Sequence, residues 1–92
     1  MLDSAPTENL FVSLEPLLEE LDEVSLLGLG HYRWVIVGPQ TGSLNRSLRE
    51  KYQFFRLWVQ GIKCYCCARG IPLFTKEACK KYGVKLIREF PF

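Results

Sequence analysis

The run Trp34-Val35-Ile36-Val37, followed at once by Gly38-Pro39-Gln40-Thr41-Gly42, constrains the fold of this chain more than any other feature. A short, uniformly apolar run of aromatic and β-branched residues predicts a strand that is buried on both faces, as in a parallel sheet. In α/β proteins the polar turn after such a strand carries ligand groups, outside the carboxyl ends of the strands. The sequence therefore predicts where a site lies before it predicts what that site does.

Two further apolar runs predict the neighbouring strands. The first is 10–14, which stops at Glu15-Pro16 because proline cannot donate to a strand ladder, and the second is 71–74. A short helical pattern over 16–21 and a long one over 48–68 separate the three strands. Strands that alternate with helices predict an α/β fold, here a small three-stranded parallel sheet with crossover helices.

The long helical pattern has one apolar face, and Gly61 in its middle either costs about 1 kcal/mol relative to alanine or bends the helix. Gly70 is expected to end it. The residues of that face are Phe54, Leu57, Trp58, Ile62, Tyr65 and Cys66, with Phe55 and Val59 on its flank.

The connections and the C-terminal part are predicted from local signals. Residues 26–30 are expected to form an irregular link, since they contain two glycines. Thr75 is expected to cap a helix over 76–82 that Gly83 ends. The tail is expected to pack against the body through Leu86, Ile87 and Phe90.

Length and composition bound the class of protein. Ninety-two residues make one small domain, predicted over 10–92, and the acidic, proline-containing stretch 1–9 is predicted to be a flexible lead-in that lacks the features of a secretory signal. The sequence has no apolar run near the roughly 20 residues of a membrane span, so we expect a cytoplasmic protein without a membrane partner.

The charge is unevenly distributed along the chain. Residues 1–25 carry seven acidic and no basic side chains, and residues 26–92 carry twelve basic and three acidic ones, which gives −7 and +9. A basic segment of this kind can attract nucleic acid. Because the cations are scattered singly, the favoured interpretation is that the two parts complement each other or a missing partner.

Four stretches, taken in order, resemble one known family: Ser13-Leu14-Glu15-Pro16-Leu17-Leu18, the central run to Gly42, Gly70-Ile71-Pro72-Leu73-Phe74-Thr75-Lys76, and Arg88-Glu89-Phe90-Pro91. They are similar to the C-terminal third of a phage-associated family of radical-SAM-like proteins related to spore photoproduct lyase. Pro39 and Gln40 depart from that family's pattern, where a second glycine and a glutamate are common. Gln40 offers amide hydrogen bonds but no charge.

The resemblance implies a fragment of a partial (β/α) barrel with reactive groups at the carboxyl ends of its strands. It also implies that a full-length relative binds S-adenosylmethionine and a 4Fe–4S cluster. The family's CxxxCxxC cluster motif does not occur in this sequence. The chain is therefore expected to bind no cofactor alone and to be inactive alone, with an N-terminal barrel portion or a second copy of itself as its partner.

Four residues follow the predicted strands and are candidate binding residues for an adenosyl ligand or a substrate. Glu15 can accept hydrogen bonds from an amino group or a ribose, and Lys76 can pair with a carboxylate or a phosphate. Gln40 and Thr41 can present an amide and a hydroxyl. Each also has an ordinary interpretation: Glu15 as a carboxylate at a helix start, Gln40 and Thr41 as turn residues, and Lys76 as a solvated lysine.

Other side chains that carry chemistry are predicted to be structural. Cys64 and Cys67 form a CxxC pair on the predicted helix, but free thiols are favoured over a metal site for all the cysteines, including Cys66 and Cys79. His31 is predicted to be a surface residue. The aromatic residues of the long helix are expected to pack onto the sheet rather than to stack on nucleic-acid bases.

Two functions from different classes remain open. The first is a C-terminal segment of a radical-SAM-like enzyme that contributes adenosyl-side or substrate-side residues. The alternative is a small α/β protein-binding or nucleic-acid-binding module with no catalytic role. The first depends on the resemblance, and the second on the apolar surface that a barrel fragment leaves uncovered.

Overall fold

A computed structural model describes residues 10–91 of the chain. Three short strands, β1 (Val12–Leu14), β2 (Val35–Val37) and β3 (Leu73–Thr75), form one sheet in the order β1-β2-β3. Both strand pairs are parallel. The prediction of a three-stranded parallel α/β sheet is confirmed, and the predicted lead-in over 1–9 lies outside the described residues.

The helical elements all lie in the connections between strands or after the last strand. The α-helices are α1 (Glu23–Gly28), α2 (Arg46–Lys51) and α3 (Phe55–Arg69), and the 3-10 segments are Leu29–His31, Tyr52–Phe54 and Glu77–Tyr82.

The sheet has one covered face and one open face. The covered face carries the side chains of Val12, Leu14, Val35, Val37, Leu73 and Thr75, and its central valines are completely buried. The open face carries Phe11, Ser13, Trp34, Ile36 and Phe74, none of which belongs to the core cluster. The prediction that the central strand is buried on both faces is therefore wrong, since Ile36 is only half-buried.

The strand order explains why only one face is covered. Crossovers between parallel strands are right-handed in nearly all proteins, so strands that follow one another in sequential order send their connections to the same side. Accordingly, Leu29 from the first crossover and Phe55 and Ile62 from the second lie in one core cluster with Val35 and Val37. Among the described residues, this is the arrangement of a singly wound sheet.

The first crossover differs from its prediction. No helix forms over 16–21, because the Leu17 N–H donates to the Gly38 carbonyl and the Leu17 carbonyl accepts from the Tyr52 hydroxyl. The helix begins at Glu23 instead, where the Asp22 carboxylate accepts from the Ser25 N–H as an N-cap. The predicted irregular link over 26–30 is consequently helical.

The long helix is interrupted near its start. It begins at Arg46, capped by Asn45, and passes through the 3-10 segment Tyr52–Phe54 before α3 runs on without a break through Gly61. The interruption changes which residues face the core. Phe54 and Leu57 are half exposed, contrary to the predicted face, and the buried residues of α3 are Phe55, Trp58, Val59, Ile62 and Cys66.

The two predicted glycine ends are confirmed. Gly70 follows α3 with a φ of 71°, and Gly83 follows the last 3-10 segment with a φ of 83°. Both lie in the left-handed region, which glycine adopts without a steric cost.

Thr75 does not act as a helix cap. It is the last residue of β3 and is completely buried, and its hydroxyl oxygen accepts from the Ile87 N–H at 2.7 Å. The position before the 3-10 segment belongs to Lys76, which makes no side-chain cap bond. The tail does pack against the body, with Ile87 partly buried on the core and Arg88 forming an isolated antiparallel bridge with Phe74.

We expect Ile62→Ala to lower the free energy of unfolding by about 2–5 kcal/mol, because Ile62 is completely buried and a cavity would remain. The matched control is Leu57→Ala on the same helix, which we expect to change it by no more than about 0.5 kcal/mol, since Leu57 is 57% exposed. Urea unfolding of both variants measures the difference. Equal losses would show that the helix face is assigned wrongly.

Candidate functional site

Three residues continue the open face at the carboxyl edge of the sheet. Glu15, Gly38 and Lys76 each follow the last residue of their strand, and side chains alternate between faces along a strand. The Gly38 N–H donates to the Leu14 carbonyl, and the Lys76 N–H donates to the Val37 carbonyl at 2.9 Å. The three residues therefore stay in register and face the same side as Ile36.

Glu15 and Lys76 form an ion pair across this edge. The Lys76 Nζ lies 3.0 Å from Glu15 Oε1, and the two side chains are 47% and 33% exposed. The two predicted site residues from the outer strands are thus brought into contact. An ion pair this exposed contributes about 0–1 kcal/mol to stability, so its partners can be exchanged at little cost.

Gly38 makes room for the pair. A Cβ at this position would lie 3.0 Å from Glu15 Oε2 and 3.1 Å from the carboxyl carbon. The glycine is buried beneath the carboxylate and presents no side chain of its own. The close approach of Glu15 to the central strand therefore depends on a residue without a Cβ.

A buried thiol lies next to the pair. The Cys79 N–H donates to the Lys76 carbonyl at 2.9 Å, and the Cys79 Sγ donates to the Val37 carbonyl at 3.6 Å. Burial raises the pKa of the Cys79 thiol to about 11, and the neighbouring Glu15 carboxylate adds to this rise. The thiol is therefore protonated at neutral pH and serves as a donor within the fold.

Gln40 is tied to the covered side of the sheet rather than to the ion pair. Its N–H donates to the Tyr52 hydroxyl at 2.8 Å, and that hydroxyl donates to the Leu17 carbonyl at 2.7 Å. Burial raises the pKa of Tyr52, which keeps the phenol neutral. Thr41 is exposed one residue farther along the same loop. Neither residue is placed with Glu15 and Lys76 by a contact of this kind.

The cysteines and His31 occupy ordinary positions. Cys64 and Cys67 are exposed on α3, Cys66 is buried, and all the cysteines are free thiols. His31 is exposed at the end of its 3-10 segment. Within residues 10–91 there is no group of three or more histidine, cysteine or acidic side chains that would hold a metal ion.

An aromatic cluster occupies the amino-terminal part of the open face. Trp34 lies at its centre, with ring centroids 6.0 Å from Phe11, 6.0 Å from Phe74 and 5.8 Å from Phe90. The Arg88 guanidinium lies over the Phe74 ring at 4.8 Å. The aromatic residues of the second crossover behave differently. Phe55 and Trp58 pack into the core as predicted, and Tyr52 is buried with them, whereas Phe54 is half exposed.

Three parts of this arrangement were not predicted from the sequence: Gly38, the Tyr52 hydroxyl and the aromatic cluster. The sequence does contain a signal for the aromatic cluster. The odd-numbered residues of the run 10–14 and the even-numbered residues of the run 34–37 face the same side of the sheet. Phe11 and Trp34 precede the strand centres by the same two positions, so parallel pairing in register places them side by side. No local pattern reveals that the Tyr52 hydroxyl reaches two loops.

One protein-family model matches the chain. It is described as "Protein of unknown function (DUF5131)", and it covers residues 1–88. Searches of the curated proteins and of the solved structures found no match. None of the helices over residues 10–91 has the length and apolar character that a bilayer crossing requires.

Alkylation with iodoacetamide at pH 8 is expected to label Cys64 and Cys67 quickly and to spare Cys66 and Cys79. Burial raises the pKa of both buried thiols to about 11, which leaves only about 0.1% thiolate at that pH, and it also blocks access. Mass spectrometry of the native protein should show two labels, and of the protein in denaturant four. Rapid native labelling of Cys79 would contradict the buried position beside Lys76.

Proposed function

The chain belongs to the DUF5131 family, and because the function of that family is unknown, we propose one: the chain is the adenosyl-side or substrate-side segment of a radical-SAM-like assembly and is inactive alone. The resemblance of its strand and turn motifs to that class is the starting point. The singly wound sheet with one open face supports a fragment of a partial (β/α) barrel, since a barrel keeps its helices outside and its ligands at the carboxyl ends of its strands.

The observation that carries the proposal is the Glu15–Lys76 pair on the open face. Both residues follow strands, both lie at the carboxyl edge, and their charged atoms are 3.0 Å apart over Gly38. In a barrel this is the position of residues that contact the substrate or cofactor.

The charges of the pair match those of an amino-acid group. The methionyl part of S-adenosylmethionine carries an ammonium and a carboxylate. Glu15 accepts hydrogen bonds from that ammonium, and Lys76 donates to the carboxylate, so the ligand exchanges one exposed ion pair for two. The space above Gly38 allows the ligand to approach the central strand.

The residues of this chain do not fit a 4Fe–4S cluster. Such a cluster is held by cysteine thiolates that converge on it, and the motif of the resembling family supplies three of them. Here Cys66 and Cys79 are buried with their pKa raised to about 11, and Cys64 and Cys67 lie exposed on α3. The proposal therefore assigns any such cluster to another polypeptide, not to this chain. In this assembly Glu15 and Lys76 bind and orient the ligand. The proposed location of the assembly is the cytoplasm.

Titration of the isotope-labelled chain with a large excess of S-adenosylmethionine tests the site, because weak and rapidly exchanging contact shifts amide signals even though the chain alone is expected to retain no cofactor. We expect the amide signals of Glu15, Gly38 and Lys76 to shift, and Lys76→Met to weaken binding about tenfold, the effect of losing about 1.4 kcal/mol. The matched control is Lys63→Met on α3, which removes the same charge at the other end of β3 and is expected to leave binding unchanged. Absence of any shift at the three amides would refute the adenosyl site.

A second candidate function is a non-catalytic nucleic-acid-binding module, and the aromatic cluster favours it. Phe11 is 54% exposed and Phe90 is 49% exposed, and the Arg88 guanidinium lies over the Phe74 ring. Exposed aromatic rings and guanidinium groups on a sheet are the usual stacking surface for unpaired bases.

Tryptophan fluorescence with a single-stranded thymidine oligonucleotide tests this second function. If it holds, the emission of Trp34 changes on titration, and raising the salt from 50 to 200 mM weakens binding because phosphate contacts are lost. Phe11→Ala should weaken binding, whereas Phe54→Ala on the helical side, similarly exposed at 50%, should not. A fluorescence change that responds neither to salt nor to Phe11→Ala would argue against a nucleic-acid-binding function.

A further inference from the structure

The two outer edges of the sheet differ in whether another segment of the chain bonds to them. On the outer edge of β3, the Thr75 N–H donates to the Ile87 carbonyl, the Glu89 N–H donates to the Leu73 carbonyl, and the Leu73 N–H donates to the Glu89 side chain. The tail therefore occupies the hydrogen-bonding groups of that edge. A strand edge closed in this way is protected from pairing with another chain.

The outer edge of β1 has no such cover among residues 10–91. The Val12 N–H donates to the Trp34 carbonyl, and the Leu14 carbonyl accepts from the Gly38 N–H, so both residues point toward β2. Because backbone groups alternate along a strand, those of Phe11 and Ser13 point the other way, toward the outer edge. No strand in the described part of the chain pairs with them.

A groove runs beside this edge on the covered side. Its volume is about 510 Å³, and β1 and the segment 21–32 form its walls. The apolar residues that line it include Val12, Leu14, Leu21 and Leu29. A strand added next to β1 would direct alternate side chains into the groove and the others toward Phe11 on the open face.

The chain around this edge is acidic. Between residues 10 and 30 there is no lysine or arginine, and the exposed carboxylates Glu19, Glu20, Asp22 and Glu23 precede or begin the segment 21–32 that forms one wall of the groove. The next cation along the chain is Arg33, whose N–H donates to the Leu10 carbonyl. A second copy would bring the same charges to the same place and would be repelled. The charge of this edge therefore favours a partner that is basic and not identical.

We propose that the outer edge of β1 is a docking site for an extended strand of a separate, basic protein chain. The strand would bond to the backbone of Phe11 and Ser13 and insert apolar side chains into the groove beside Leu21 and Leu29. The inference rests on the part of the proposed function that makes the chain one piece of a larger assembly. It does not require an adenosyl ligand at Glu15 and Lys76.

The test uses the isotope-labelled full chain and two synthetic peptides in which valine alternates with serine, one with two lysines at each end and one with two glutamates at each end. We expect the lysine peptide to shift the amide signals of Phe11, Ser13 and Leu29. The glutamate peptide should bind at least about tenfold more weakly, because its charges oppose Glu20 and Glu23. These amides differ from those that report the adenosyl ligand, so either proposal can fail without the other.

Ser13→Pro is the decisive variant, since it removes an N–H that β2 does not use and blocks the outer edge. It should abolish peptide binding, while Ser13→Ala, which keeps that N–H, should bind normally. Should Ser13→Pro fail to fold, the double variant E20K/E23K on the exposed surface replaces it and should reverse the peptide preference.

Three results would overturn the proposal. Equal binding of both peptides would remove the charge argument. Concentration-dependent shifts of Phe11 and Ser13 without peptide would assign the edge to a second copy. Shifts of the Ser13 amide with a single-stranded oligonucleotide but with neither peptide would assign it to nucleic acid.

Discussion

The register of β2 is the constraint on which the rest of the structure depends. Val35 and Val37 are completely buried on the covered face, and β2 is hydrogen-bonded to a parallel neighbour on each side. A shift of one residue would turn those valines to the open face and would carry Gly38 to the covered face. Because both valines must be buried, the register of β2 determines the face of the sheet on which Glu15 and Lys76 meet, although neither charged residue belongs to the core.

The strands and helix ends were predictable because they depend on local chemistry. Apolar runs that end at proline or at a polar turn located all three strands to within two residues, and Gly70 and Gly83 marked helix ends through their left-handed conformations. The errors occur where distant partners compete with local preference. The Leu17 backbone is hydrogen-bonded to Gly38 and Tyr52, so it does not form helical hydrogen bonds. The Thr75 hydroxyl is hydrogen-bonded to the Ile87 N–H, so it does not cap a helix.

The same distinction separates the residues of the candidate site. Parallel strands end at one edge, so the proximity of Glu15 and Lys76 follows from their positions after β1 and β3. The position of Gln40 follows instead from the Tyr52 hydroxyl, which is twelve residues away in sequence and belongs to the core. The proximity of Glu15 and Lys76 could be predicted from strand direction alone. No sequence pattern predicts the hydrogen bond between Gln40 and Tyr52. The one-sided cover of the sheet likewise follows from strand order, which emerges only from the fold.

The open face has two parts whose stabilities differ. Its aromatic part joins Trp34 to Phe74, and the Trp34 Nε1 donates to the Glu89 carbonyl at 2.8 Å, so this part binds the tail to the sheet. Its polar part is an exposed ion pair that contributes about 0–1 kcal/mol. An ion pair this weak adds little to the stability of the fold, even though it holds a glutamate against a glycine backbone. The function proposed above would give this geometry a purpose, since a weak, half-exposed pair of opposite charges can exchange its partners for a zwitterionic ligand while the core beneath remains intact.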